Sequence, residues 1–249
     1  SGKGGGAGDG KGNAKPPQDD MPRFNNGENR ENKPAAIVVF HRGIAPAAGA
    51  FYFRTAAFSQ WNGSRLIEAT IGGVDPDSRI IYPSEKHQLE PTPQGMRELV
   101  ANDIVLITEH PRLFALTDAI ELEPMVNPDP VRFRRAYRVV SSVVTAEYDK
   151  MLGRQPGDPA WSDELWAHYT EVPRDERYHE LAAQLKSDLR AEFADDPLAQ
   201  AMVVKQWLEK NTTYSFSKNY DGEQDPTAAF LFSEEKKGYC VHTANAAAF

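Results

Sequence analysis

The sequence has one cysteine, Cys240, among its 249 residues. A single cysteine cannot form a disulfide within the chain, so the usual evidence for an oxidising compartment is missing. Long apolar runs are missing too. The longest, such as residues 35–40, fall far short of the roughly 20 residues that a membrane-spanning helix needs. The given sequence therefore predicts no membrane span and leaves the compartment open.

Uninterrupted blocks of three or more lysines or arginines are also absent, and the net charge is -8. Nucleic-acid surfaces need grouped lysines and arginines to contact phosphates, so no nucleic-acid partner is expected. The sequence contains no His-Glu-x-x-His, paired Cys-x-x-Cys, Gly-x-Gly-x-x-Gly or Gly-Lys-Ser/Thr pattern. Zinc-protease and nucleotide-binding interpretations therefore have no support.

One stretch has the alternating oxygen ligands of a hard-cation loop, at Asn219, Asp221, Glu223 and Asp225. The complete twelve-residue loop with its terminal glutamate is not present, and Asp225 is already explained as a helix cap before Pro226. We therefore predict neither a metal site nor a cofactor.

The chain divides into four segments by composition. Residues 1–34 are rich in glycine and poor in apolar side chains, which is typical of a flexible linker. Residues 35–150 contain short β-branched and aromatic runs broken by turn residues, which favours an antiparallel sandwich or barrel. Residues 151–172 form a connector, and residues 173–249 are mainly helical. The predicted strands are residues 37–41, 50–58, 64–70, 104–108 and 132–146.

The helical segment shows apolar spacings of three and four residues, which predict one helix of about five turns over residues 178–193. Asp196-Pro197 starts a second helix, expected to be largely buried, and Asp225-Pro226 starts a short third one through Phe232. Residues 213–217 are expected to be extended. The predicted fold class is α+β.

Cys240 lies between Gly238, which adds conformational freedom, and the alanine-rich run that closes the sequence. These neighbours predict that Cys240 occupies the first turn of a buried helix. Unpaired N–H groups and the positive end of the helix dipole favour a thiolate at such a position and can stabilise an oxyanion. The alternative is that Cys240 is a small apolar residue of the core.

The C-terminal stretch resembles the bacterial transglutaminase-like superfamily, whose enzymes have a papain-like fold. The matching positions, in the order and spacing of that family, are Tyr214-Ser-Phe216, Asp225-Pro-Thr-Ala-Ala-Phe-Leu-Phe232, Gly238-Tyr239-Cys240, His242, Ala244 and Ala246. A weaker similarity covers residues 52–63, which look like the strand pair preceding this core in membrane-anchored members.

The resemblance implies that Cys240 is the nucleophile of a Cys-His-Asp triad, with Gly238, Tyr239 and His242 as structural neighbours. Two residues along a helix is a rotation of about 200°, so His242 points away from Cys240 and is not expected to be its base. Val241 replaces the acidic or polar residue that family members often have there. The family's His and Asp follow the cysteine helix, so we expect that the sequence is C-terminally truncated and that this fragment lacks them and is inactive.

The resemblance implies a cysteine acyltransferase that attacks a glutamine carboxamide or a peptide carbonyl of a protein substrate. A protease or amidase is an alternative, because the sequence does not identify whether the acyl acceptor is an amine or water. A non-catalytic envelope-associated binding or scaffold module remains open as well. With the linker, the resemblance also implies a periplasmic or extracytoplasmic domain of an inner-membrane protein, attached through segments outside this chain. The oligomeric state cannot be predicted.

Overall fold

The computed structural model describes residues 34–46, 49–78, 81–89, 95–218, 220 and 222–249. They all belong to one compact unit, residues 33–249. The unit combines sheets with helices, which confirms the predicted α+β class. The predicted linker lies outside the described residues except for Pro34.

Eleven strands occur in the described part of the chain. They are β1 (Ala36–Phe40), β2 (Phe53–Arg54), β3 (Gln60–Trp61), β4 (Leu66–Ile67), β5 (His87–Gln88), β6 (Arg97–Leu106), β7 (Ala115–Leu116), β8 (Ala119–Pro124), β9 (Arg135–Val144), β10 (Thr213–Tyr214) and β11 (Lys237–Gly238). Five of them form the main antiparallel sheet, in the order β1-β6-β9-β8-β5.

The long strands β6 and β9 form the centre of this sheet. Val100, Ile104 and Val139 are fully buried in them, in line with the side-chain alternation of a sheet with one packed face. The described strands form this one large sheet and three two-stranded pairs. Neither a second large sheet nor a closed barrel occurs among the described residues, so the predicted sandwich or barrel is not confirmed.

The first part of the sheet region differs from the sequence prediction in its strand pairing. The strand expected at residues 50–58 is reduced to β2, which pairs with β7. The turn expected at Asn62-Gly63 is confirmed, because β3 and β4 form a hairpin in which Asn62 Oδ1 accepts the N–H groups of Ser64 and Arg65. Residues 52–63 therefore do not form a strand pair with each other: β2 and β3 pair with different strands.

Six α-helices follow in the described residues. They are α1 (Tyr148–Met151), α2 (Asp163–Tyr169), α3 (Glu176–Ser187), α4 (Pro197–Asn211), α5 (Pro226–Leu231) and α6 (Cys240–Ala248). None of them is long and apolar enough to cross a membrane.

The helix predicted over residues 178–193 is shorter than expected. It ends at Ser187, and only a 3-10 turn, Ala191–Phe193, continues its apolar pattern. Ser187 Oγ donates to the carbonyl of Gln184 at 2.7 Å, a local hydrogen bond by which serine competes with helix propagation. The apolar spacing alone could not show this break.

The helices α3, α4, α5 and α6 share a second apolar core. Tyr178, Leu208, Phe230, Leu231 and Ala246 are buried in it. The prediction that α4 is largely buried is wrong, because Leu208 is its one buried residue and Ala201 is exposed. The helix contributes a narrow stripe to the core, and its remaining faces are half-buried or exposed.

Side chains also connect the sheet region to the helices. Trp61 of β3 packs edge-on against Phe249 just after α6, with ring centroids 4.8 Å apart. Ser59 Oγ lies 3.0 Å from Nε2 of His168 in α2, and Tyr169 donates to Asp75 at 3.0 Å. The contacts cross the predicted domain boundaries, and the boundaries themselves stay a prediction.

Candidate active site

Cys240 is the first residue of α6 and is exposed. Tyr239 caps the helix in an extended conformation, and the first intrahelical bond runs from Thr243 N–H to the Tyr239 carbonyl at 3.2 Å. The N–H groups of the preceding first-turn residues therefore have no helix carbonyl to bind. The exposed thiol and these N–H groups lie at the same helix terminus, where a reacting carbonyl can meet both.

The expectation of a buried helix is only partly met. His242 and Ala246 are buried, whereas Ala244, Ala247 and Ala248 are exposed. The helix thus packs one face against α4 and α5 and leaves the opposite face open. Of the four alanines in this helix, only Ala246 is packed in the core.

Gly238 immediately precedes the cap, and its role differs from the expected one. Its backbone does not adopt a positive φ angle. A Cβ atom added at this residue would lie 2.8 Å from Cε2 of the buried Phe230 ring and 3.0 Å from Cβ of His242. Glycine is therefore required by the close approach of the chain to this ring and not by conformational freedom.

His242 holds the start of the helix in place. It is buried, and its Nδ1 accepts the N–H of Tyr239 at 3.2 Å, which is the backward half of a capping box. Its ring contacts those of Tyr239, Tyr220 and Phe230 at centroid distances of 4.4, 5.1 and 5.6 Å. His242 thus faces the core while Cys240 faces solvent, as the helical rotation between them requires.

The two-stranded parallel pair β10–β11 fixes the chain just before the helix. Thr213 is in register with Lys237, and Tyr214 with Gly238. The carbonyl of Gly238 accepts the N–H of Ser215 at 2.7 Å. Residues 236–239 are thereby tied to a distant segment, which determines where Cys240 emerges.

The short helix α5 packs against α6 and is joined to α3 by a side-chain hydrogen bond. Asp225 caps it by accepting the N–H of Ala228 at 2.8 Å, as the Asp-Pro motif predicts, and it also accepts the phenol O–H of Tyr178 at 3.1 Å. Burial, with the nearby Asp225 carboxylate as a second cause, raises the pKa of Tyr178 above its ordinary value. Asp225 therefore joins α3 to α5.

The candidate cation loop gains no support from its described members. Asn219 and Asp221 lie outside the described residues. Asp225 serves as a cap, and no group of three or more metal-ligating side chains occurs in the part of the chain that the structure describes.

Three histidines, two in the sheet region and one in α2, have partners away from Cys240. His41 Nε2 lies 3.0 Å from Asp103, His110 Nδ1 lies close to the Arg112 carbonyl, and His168 contacts Ser59. No described side chain hydrogen-bonds to the Cys240 thiol. The contacts of these three histidines therefore place none of them beside Cys240.

A row of aromatic side chains that ends at Tyr239, the residue before Cys240, was not identified from the sequence. The Tyr214 and Phe216 rings are 5.3 Å apart, and Phe216 stacks on Tyr239 at 5.4 Å with an interplanar angle of 29°. The available signal was the i, i+2 spacing of two aromatic residues in a segment predicted to be extended, which places them on one side of the chain.

Comparison with known proteins supports the resemblance for the C-terminal part. Residues 183–249 match the family model of the transglutaminase-like superfamily. No significant match was found among curated proteins or solved structures. The segment that carries Cys240 is therefore similar to the core of the transglutaminase-like superfamily, and the cysteine starts the last described helix of that segment.

Proposed function

We propose that this protein is a transglutaminase-like thiol enzyme in which Cys240 attacks the carbonyl carbon of a glutamine carboxamide in a protein or peptide. The observation that carries the proposal is the exposed thiol at the first turn of α6, within the segment that matches the superfamily. Members of this superfamily are typically cysteine enzymes.

The chemistry proceeds in two steps. The Cys240 thiolate forms a C–S bond, and the carbonyl oxygen becomes an oxyanion that accepts hydrogen bonds from first-turn N–H groups of α6. The C–N bond then breaks, and the leaving nitrogen takes a proton and departs as ammonia. An amine, or water, attacks the resulting thioester and releases Cys240.

The proton acceptor is assigned by the resemblance to a histidine, oriented by an aspartate, that follow the cysteine helix in the family. We do not assign this role to His242, because its Nδ1 already accepts the Tyr239 N–H and its ring is enclosed by three aromatic side chains. Attachment to a membrane and a location outside the cytoplasm stay predictions.

The test uses the longest natural form of the protein with a glutamine-containing peptide and a labelled primary amine. We expect ammonia release, and an acyl adduct on Cys240 detected by mass spectrometry after acid quenching. Cys240→Ala should lower turnover by about a thousandfold or more, as expected for loss of a nucleophile. The matched control Ala244→Ser, at an exposed position of the same helix, should retain turnover within about twofold, as is usual for surface changes.

The products distinguish the remaining reactions. Labelled amine in the peptide indicates acyl transfer, whereas the free acid alone indicates hydrolysis and an amidase. Unchanged turnover in Cys240→Ala would eliminate the nucleophile assignment. No turnover with any peptide amide would favour the non-catalytic module.

A further inference from the structure

Three aromatic residues form a continuous, partly exposed row, which we name the aromatic row: Tyr214, Phe216 and Tyr239. Tyr214 and Phe216 expose 65% and 41% of their surface, values that are high for large rings in contact with each other. Both rings would be expected to turn inward if their only role were to stabilise the core. Their exposed surface is therefore available to another molecule.

The row runs from solvent to Tyr239, the N-cap of the helix that begins at the candidate nucleophile. Phe216 stacks on Tyr239, and Tyr239 is the residue directly before Cys240. The Tyr239 ring is held in turn by its edge contact with the buried His242 at 4.4 Å. The Tyr239 end of the row is thus packed against the protein, whereas the Tyr214 end is exposed to solvent.

The backbone beside the row offers hydrogen bonds to an extended segment. The N–H groups of Thr213 and Ser215 bind carbonyls of Lys236 and Gly238. Because successive residues of a strand point their backbone groups to opposite sides, the N–H and carbonyl of Tyr214 point away from β11. An extended peptide can pair with such a free strand edge, whereas a compact ligand cannot use it.

We propose that the aromatic row is a specificity site that holds an aromatic side chain of an extended peptide substrate, next to the residue whose carbonyl Cys240 attacks. The proposal rests on the proposed function of Cys240. Aromatic rings prefer edge or offset face contact with another ring, and the exposed parts of the Tyr214 and Phe216 rings offer such surfaces. The substrate class is thus a peptide segment with Phe, Tyr or Trp beside the acyl residue.

The experiment measures alkylation of Cys240 by two matched tripeptides in the full-length protein. The central residue carries a chloromethyl ketone in place of the attacked carboxamide, and both flanking residues are either Phe or Ala. The thiolate displaces chloride and forms a C–S bond, so the reaction needs no acceptor. The rate constant for each peptide is read from intact mass, and their ratio cancels changes in intrinsic thiol reactivity.

In the wild-type protein, we expect the Phe tripeptide to react about 3–10-fold faster than the Ala tripeptide, the effect of one or two aromatic contacts. Phe216→Ser and Tyr214→Ser should each bring the ratio towards 1. Tyr214→Ser is informative even if Phe216→Ser folds poorly, because Tyr214 is mostly exposed. The control Tyr52→Ser removes a 71% exposed tyrosine outside the row and should leave the ratio unchanged.

Equal wild-type rates for the two peptides, or a ratio that both serine variants preserve, would overturn the specificity site. Failure of the proposed function gives a different result: Cys240→Ala would then retain wild-type turnover of peptide amides, whatever the ratio of alkylation rates.

Discussion

Gly238 shows how a single residue without a side chain fixes the geometry of the candidate site. The backbone of β11 approaches the Phe230 ring closely, and Phe230 is fully buried. A ring enclosed on all sides cannot move aside without disturbing α5 and α6, since protein interiors are close-packed. The cap at Tyr239 and the start of α6 therefore depend on this contact.

We predict that Gly238→Ala lowers the free energy of unfolding by about 1–3 kcal/mol, the usual cost of overpacking a well-filled core. Urea denaturation followed by circular dichroism measures the change. The matched control is Gly72→Ala, where an added Cβ meets nothing within 4 Å and φ is not positive. A result for Gly238→Ala within about 0.5 kcal/mol of the control would contradict the packing argument.

Some of these residue roles could be predicted from sequence and others could not. The Asp-Pro pair at Asp225 is a local signal, and the structure confirms the cap. The role of Gly238 depends on Phe230, which comes close to it only in the folded chain. From the sequence alone, Gly238 could therefore be interpreted only as a source of backbone flexibility. The exposure of Cys240 likewise depends on which face of α6 finds a partner.

At the scale of elements, the hydrogen bond between Tyr178 and Asp225 connects two helices that are distant in sequence. Tyr178 lies in α3, and its ring also contacts Phe232 and Phe249 at 5.3 and 5.6 Å. Because the pKa of Tyr178 is raised, the folded state favours the neutral phenol. The contribution of the neutral Tyr178 phenol to the stability of the fold is fully present below the unfolded-state pKa of tyrosine, about 10. It is lost as the pH rises above that value, because the phenol then ionises on unfolding.

We therefore predict that Tyr178→Phe reduces the loss of stability of the protein between about pH 10 and pH 12, because the group that must ionise on unfolding is gone. Asp225→Asn should reduce this loss in part, since it removes the second cause of the raised pKa. The measurement is urea denaturation at several pH values from 8 to 12. The exposed Tyr214→Phe is the control, and an identical pH slope for it and for Tyr178→Phe would count against the assignment.

Element prediction succeeded where the determining signals are local. The Asp-Pro starts of α4 and α5 and the Asn62-Gly63 turn are read from neighbouring residues, and each is found in the structure. The pairing of β2 with β7 joins residues 53–54 to 115–116, about 60 positions apart, and no local pattern encodes it. Short strands that depend on such distant partners were consequently predicted too long or, like β5, missed.

At the scale of the whole described molecule, the β3–β4 hairpin supports the last helix. The Trp61 ring packs on Phe249, which packs on Tyr178 in turn. Two successive aromatic contacts therefore connect the sheet region, the residue after α6, and α3. Trp61 and Phe249 are about 190 positions apart, and no local pattern in the sequence predicts that their rings come into contact.

We predict that Trp61→Ala weakens α6 specifically, with about tenfold faster amide exchange at residues 241–248, because local opening of the helix becomes easier. Hydrogen exchange with mass spectrometry measures this directly. The control is Trp161→Ala, which removes a ring that packs against Trp166 and Tyr169 instead. Equal acceleration in both variants would show a global loss of stability and contradict the proposed local support.

The parallel pairing of β10 with β11 requires the closure of a long loop. Its register joins Thr213 to Lys237, so a loop of about two dozen residues must close first, at an entropic cost of about 3 kcal/mol. Cys240 lies two residues after β11, so its position at the start of α6 depends on this closure. Since the chain has no other cysteine, a fluorophore attached to Cys240 would report loop closure without removal of competing thiols.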